Sequence, residues 1–141
     1  AGLIAYFDTS AFLKLVVEEP GSPATAALWE EADRRFSSRL LYPEARAAIA
    51  AAGRSGRIVA DALPDVTSEL ERLWRELDDL ELSPQITARA GDLADHLALR
   101  GADAVHLATA EAVIDTDDLL ACADARLASG ARALGLAVAA L

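Results

Sequence analysis

Residues 5–15 read AYFDTSAFLKL. With Leu3 and Ile4 in front, they form an apolar run that stops at Asp8, passes through the small polar pair Thr9 and Ser10, and restarts at Ala11, Phe12 and Leu13. A strand over 3–7, covered on both faces, feeding a helix over 10–18 accounts for the change of pattern. Asp8 then falls at the junction, where aspartate accepts the free backbone N–H groups of a helix start. The motif EEPGSP at 18–23 ends that helix, because Pro20, Gly21 and Pro23 cannot continue it. Whether Asp8 only caps or also does chemistry depends on what the rest of the chain brings to it.

The pattern recurs along the chain. Residues 23–35 read as a helix closing on Arg34 and Arg35, and 36–38 as a short strand. A helix over 40–53 puts Leu41, Ala45, Ala48, Ile49 and Ala52 on one face. AGRSGR (52–57) is a turn. Residues 58–78 place Val66, Leu70, Leu73, Trp74 and Leu77 at helical spacing, and 80–82 read as a strand. Pro84 suits a first helical turn, opening a helix to Arg100 that Gly101 breaks. A helix over 103–114, a strand over 118–123, a helix over 125–134 and a last strand over 136–141 complete the reading. Strands alternating with helices predict an α/β protein, with a parallel sheet covered on both faces and a single domain over 1–141.

The chain has 141 residues, 53% of them hydrophobic, which places it among globular chains with a sizeable core. Its lone Cys122 excludes an internal disulfide. No secretory leader and no run long enough to cross a bilayer is visible, so a soluble, cytoplasmic protein without a membrane partner is expected. The sequence has no Met, and Ala1 is expected to follow a removed initiator. A formal net charge of −10 argues against a broad nucleic-acid footprint and favours a basic partner or a local cation site.

Four acids stand out by position: Asp8 after the first strand, Glu44 beside Pro43 at the start of a helix, Asp103 near Gly101, and Asp124 after the strand LLACA. Each has a bland explanation as a cap or a solvated side chain. In a parallel sheet, however, strand-to-helix turns share one edge, and ligands bind there near the point where strand order reverses. Carboxylates meeting at about 4 Å repel by about 4 kcal/mol per pair at an effective dielectric near 20, so a cluster needs a cation or raised pKa values. Oxygen donors suit Mg²⁺ or Mn²⁺, and the absence of Cys/His ligand spacing disfavours Zn²⁺. Asp92 and Asp95 read as a solvated helix face, DTDD (115–118) as a solvent-facing loop or a cap before the strand, His96 as surface, and Trp29 and Trp74 as helix packing. No Ser/His/Asp nucleophile set is evident.

Taken in order, YFDTSAFLKL, EEPGS, YPEARAA, GADAVHLATA and ACADARLASGARALGLAV resemble the PIN-domain ribonucleases, and within them the VapC toxins of prokaryotic toxin–antitoxin pairs. The likeness covers nearly the whole chain. It implies a three-layer α/β/α sandwich around a parallel sheet of about five strands, and a Mg²⁺- or Mn²⁺-dependent endoribonuclease. Asp8, Glu44, Asp103 and Asp124 match the family's acidic positions, both catalytic and metal-binding, and Ser10 a supporting hydroxyl. Cys122 departs from the Thr or Ser common two residues before the last aspartate, and a thiol is a weaker donor. His106 fits as a packed helix residue.

The resemblance also implies an RNA substrate, a VapB-like antitoxin with a basic tail, and homodimers that gather into a larger complex with it. Lys14, Arg34, Arg35 and Arg46, with Arg39, Arg54 and Arg57, are candidates for holding RNA. Phe12, Leu13, Val16, Trp29 and Leu40 are candidates for an antitoxin groove or for core. Two other functions compete. An Asp-nucleophile phosphatase would use Asp8, but has Ser10 where its general acid belongs. A catalytically silent interaction module would keep the fold without the chemistry.

Overall fold

The computed structural model describes residues 2–141; Ala1, the expected processed start, lies outside the described residues. The first half of the chain contains β1 (Ile4–Phe7), α1 (Thr9–Val16), α2 (Ser22–Glu31), β2 (Arg34–Ser38), α3 (Leu41–Arg54), a 3₁₀ turn (Ala60–Ala62) and α4 (Leu63–Trp74). The second half contains β3 (Asp78–Leu80), α5 (Pro84–Leu97), α6 (Gly101–Val113), β4 (Leu119–Cys122), α7 (Ala125–Ala133) and β5 (Val138–Ala140). All neighbouring strands run parallel, in the order β3-β2-β1-β4-β5. The chain therefore builds outward from β1 to one edge, then returns to lay β4 and β5 on the other side.

Alternation along the central strands divides the core in two. Ala5, Phe7 and Ala121 pack toward α1–α4, with Phe12, Trp29, Leu41 and Leu70. Tyr6, Leu120 and Cys122 pack toward α5–α7, with Leu107 and Leu127. The expected three-layer α/β/α sandwich is the fold. Phe12, Leu41, Leu70, Leu107 and Leu127 are fully buried, each worth roughly 1.5–3 kcal/mol over exposure. The α1–α2 corner turns on Gly21, whose φ of 94° is left-handed and strains any side-chain-bearing residue.

Several boundaries differ from the sequence expectation: β5 is Val138–Ala140 and not 136–141, and Gly101 opens α6 after α5 ends at Leu97. Residues 58–78 are not one helix: a 3₁₀ turn comes first, and Pro64 sits in the opening turn of α4. Arg34 and Arg35 belong to β2, not to the end of a helix. Their guanidinium groups lie over aromatic rings, Arg34 above Phe36 at 4.7 Å and Arg35 above Trp29 at 5.0 Å, which lets charged residues occupy a strand. β3 is Asp78–Leu80 and not 80–82; at this sheet edge Asp78 pairs with Arg34 and Asp79 with Arg39. Asp118, expected in a solvent-facing loop, is buried and accepts the Ile4 and Asp115 N–H groups, tying β4 to the start of β1. Among the described residues no helix is long and apolar enough to cross a membrane.

Candidate active site

The reversal of strand order falls between β1 and β4, and two of the four acids leave the sheet there. The Asp8 N–H bonds the Ala121 carbonyl at 3.1 Å, holding the two strand ends level. Asp8 caps α1 by accepting the Ala11 N–H at 2.8 Å, and Asp124 caps α7 by accepting the Leu127 N–H at 2.9 Å. The bland reading of these two aspartates is therefore true, and it does not compete with a second role. Glu44 comes from the first turn of α3 and Asp103 from the first turn of α6. Arg100, not Asp103, occupies the cap position of α6, which begins at Gly101.

All four acids line one cavity of about 290 Å³, with Thr9, Ser10, Leu13, Ala48, Arg100 and His106. Asp8 is its most buried acid, 4% exposed. Burial pushes the Asp8 carboxyl up to about 6; His106, the Ala11 N–H and Ser10 pull it down, and nearby Asp103 pushes it up. Ser10 donates to both Asp8 oxygens, at 2.7 and 2.9 Å, and accepts the Ala123 N–H at 2.9 Å. Its hydroxyl thus joins Asp8 to the turn that carries Asp124.

Glu44 is held differently. Burial raises its pKa, but hydrogen bonds from His106 and Thr9 outweigh that and leave it below the ordinary carboxylate value. The Thr9 hydroxyl donates to Glu44 Oε1 at 2.7 Å, and His106 Nε2 lies 2.8 Å from the same oxygen. Asp103 and Asp124 share a cation: Arg100 Nε is 3.2 Å from Asp103 and its Nη2 3.5 Å from Asp124. Among the described residues no three or more His, Cys, Asp or Glu side chains are drawn close enough to form a ready metal shell.

Sequence reasoning missed Thr9, Arg100 and the reach of His106. His106 is buried as expected, but it is no mere packing residue. Arg100 carried one legible signal, its position three residues before Asp103 on a helix start. The cations proposed from sequence fare otherwise. Lys14 is buried, with its ammonium on Glu19 at 3.1 Å and on the Pro20 carbonyl at 2.6 Å, and is not free to hold RNA. Arg34 pairs with Asp78, Arg35 donates to the Trp29 carbonyl, and Arg46 bonds Tyr42 and Glu71; none of these lines the acidic cavity. Phe12 and Trp29 are core, while Leu13 borders an apolar groove between α1 and α3. Cys122 is buried, and burial together with Asp8 and Asp124 pushes its thiol up to about 12.

Acids from two central strand ends and two flanking helices thus meet at the carboxyl edge of a parallel sheet, the place where open α/β folds bind their ligands. The PIN domain family model matches residues 5–137, and the chain belongs to that family. Over 136 residues it is 47% identical to ribonuclease VapC45 of Mycobacterium tuberculosis, with 96% of this chain and 94% of the relative covered. Its fold is shared with VapBC2 from Rickettsia felis, solved bound to a DNA fragment from their promoter, at a TM-score of 0.68 and 14% identity over 98% of both chains. It is shared also with a toxin–antitoxin complex from Klebsiella pneumoniae, at a TM-score of 0.61 and 18% identity over 85% of this chain and 86% of that one.

Proposed function

We propose that this chain is a Mg²⁺- or Mn²⁺-dependent endoribonuclease and the toxin of a toxin–antitoxin pair. The observation that carries the reading is the meeting of Asp8, Glu44, Asp103 and Asp124 on one cavity at the sheet's carboxyl edge. Membership of the PIN domain family and the ribonuclease name of a 47% identical relative support it.

The donor set fits a hard divalent ion. All four candidate ligands offer oxygen, and burial raises the Asp8 carboxyl, so a cation beside it would favour the charged form that burial disfavours. A bound ion supplies Lewis acidity toward water and toward the phosphoryl oxygens of a phosphodiester. Asp8, fixed by Ala11 and Ser10, would be the central ligand; Asp103 and Asp124 would complete the set, with Glu44 joining directly or through water. To do so Asp103 and Asp124 must release Arg100. The freed guanidinium then stands beside the cavity, able to bond a phosphate through two N–H groups.

The antitoxin reading draws on the apolar groove. Leu13, Val17, Ile49 and Ile58 line it, and it meets the acidic cavity at Leu13 and Ala48. An amphipathic partner helix seated there would deliver a basic tail to the acids, in keeping with a net charge of −10. A cytoplasmic, single-domain protein that pairs with itself and gathers further around its antitoxin completes the proposal. The phosphatase alternative loses ground because Ser10, where a second acid is required, spends its hydroxyl on Asp8.

The test is cleavage of structured RNA with Mn²⁺, repeated with chelator and with Asp8→Asn. Metal-dependent cutting that Asp8→Asn abolishes is expected. Cutting that survives chelator, or turnover of a small phosphomonoester but not RNA, overturns the reading. A protein that neither binds Mn²⁺ nor cuts RNA is a silent module.

A further inference from the structure

Tyr6, His106 and Glu44 form a chain of contacts that runs from inside the sheet to the acidic cavity. Tyr6 sits on β1, wholly buried, and His106 on α6 is 2% exposed. Their rings meet edge to face at 5.9 Å. Tyr6 Oη accepts the Ser38 N–H at 3.0 Å and lies 2.8 Å from His106 Nδ1. On its far side, His106 Nε2 faces Glu44 Oε1 at 2.8 Å and the Thr9 hydroxyl at 3.1 Å. α6 covers one face of the sheet and α3 the other, so this contact crosses the sheet's carboxyl edge and joins the two helical layers.

Donor accounting fixes the ring. An ionised carboxylate only accepts, so Nε2 must carry the proton that faces Glu44. Tyr6, already accepting from Ser38, has its own hydroxyl proton to give to Nδ1. The opposite neutral tautomer would set a lone pair against Glu44 and would require the Tyr6 hydroxyl to turn its own proton away from Nδ1. Nε2 therefore bears a proton whether or not the ring is charged.

We infer that Tyr6 and His106 are positioning residues, which lock Glu44 Oε1 through the His106 Nε2–H and hold that carboxylate ready for a divalent ion. The inference rests on the ribonuclease reading and deepens it. With Oε1 engaged by both His106 and Thr9, Oε2 takes no hydrogen bond among the described residues. Ligands oriented in this way typically lose 10–100-fold in metal affinity when their support is removed. Ser38 adds a second link: its N–H bonds Tyr6, and its hydroxyl accepts the Leu40 N–H at the start of α3, the helix that carries Glu44.

Two isosteres separate positioning from packing. In His106→Gln the amide nitrogen reaches toward the place of Nε2; in His106→Asn it reaches only toward Nδ1. Tyr6→Phe keeps the ring and removes the hydroxyl. Nitrogen-15 NMR of the imidazole reads the tautomer in metal-free protein, calorimetry reads Mn²⁺ affinity, and thermal unfolding verifies that each variant folds. The parent is expected to show a protonated Nε2. His106→Asn is expected to bind Mn²⁺ at least 10-fold more weakly, His106→Gln to recover most of that loss, and Tyr6→Phe to fall between, with kcat lowered and KM for RNA unchanged. A parent ring protonated at Nδ1 alone, or a folded His106→Asn that binds Mn²⁺ as the parent does, overturns the inference. Failure of the ribonuclease reading looks different: the parent itself binds no Mn²⁺ while His106 keeps its Nε2 proton, and both proposals then fall together.

Discussion

Replacing Asp8 by Asn removes one negative charge from the most buried acid of the cavity while keeping the side chain's shape and its cap on Ala11. In the metal-free protein the Asp8 carboxyl titrates at about 6 against an ordinary 3.8. A folded pKa above the unfolded one means that folding favours the neutral acid. The stability it confers is complete below about pH 4 and is lost as pH rises through 6. The gap between those two values corresponds to about 3 kcal/mol. Asn mimics the neutral acid at every pH, so Asp8→Asn is expected to match the parent near pH 4 and to exceed it by up to about 3 kcal/mol at pH 7.5. For a chain of this size that is about 10 °C in Tm. Urea unfolding of chelator-treated protein from pH 4 to 8 measures it. Added Mn²⁺ should then stabilise the parent and leave the variant unmoved, inverting their order. A variant less stable than the parent at pH 7.5 without metal would refute the claim that Asp8 is a charge held against its environment.

Three further outcomes follow from the same geometry. Arg100→Ala should leave urea stability within about 1 kcal/mol, because its ion pairs are exposed, and should tighten Mn²⁺ binding by up to about fivefold in calorimetry, since the ion no longer displaces a guanidinium; weaker binding contradicts this. Ser10→Ala strips the one hydroxyl donor shared by the two Asp8 oxygens and an acceptor from Ala123, and should cost roughly 1–3 kcal/mol at pH 7.5 in the same unfolding assay; a neutral change removes Ser10 from the supporting role. Cys122, with its thiol pushed up to about 12, should resist iodoacetamide at pH 8 until the protein is unfolded, as its thiolate fraction there is lower by more than a thousandfold than that of a free cysteine. Rapid labelling of native protein, read by mass spectrometry, would show the strand to be more open than its packing implies.

Much of this was legible from residue order. The runs ending at Asp8 and Asp124 are both apolar on both faces, so both read as central strands, and their aspartates were placed at the sheet's carboxyl edge by topology alone. β2 and β3 were less legible because they carry Arg34, Arg35, Asp78 and Asp79; cross-strand ion pairs and aromatic cover let charge persist where hydrophobicity was sought. The acids were legible as a set, since each lies beside a helix start. Their supports were not. His106 stands among Val105, Leu107 and Ala108, and its partners lie 100 and 62 residues away, so its helix reads only as buried. Thr9 was overshadowed by Asp8 and Ser10, although it is the hydroxyl that reaches Glu44.

The position of β1 bears on when the four acids can meet as the chain is made. This strand is made well before β4, so one of its flanks stays bare until Leu119–Cys122 arrives, and Asp124 follows only after that. A nascent chain halted before residue 119 lacks both the strand that closes the reversal point and the final acid. Synthesis thus keeps the four acids from meeting until Asp124 has been made.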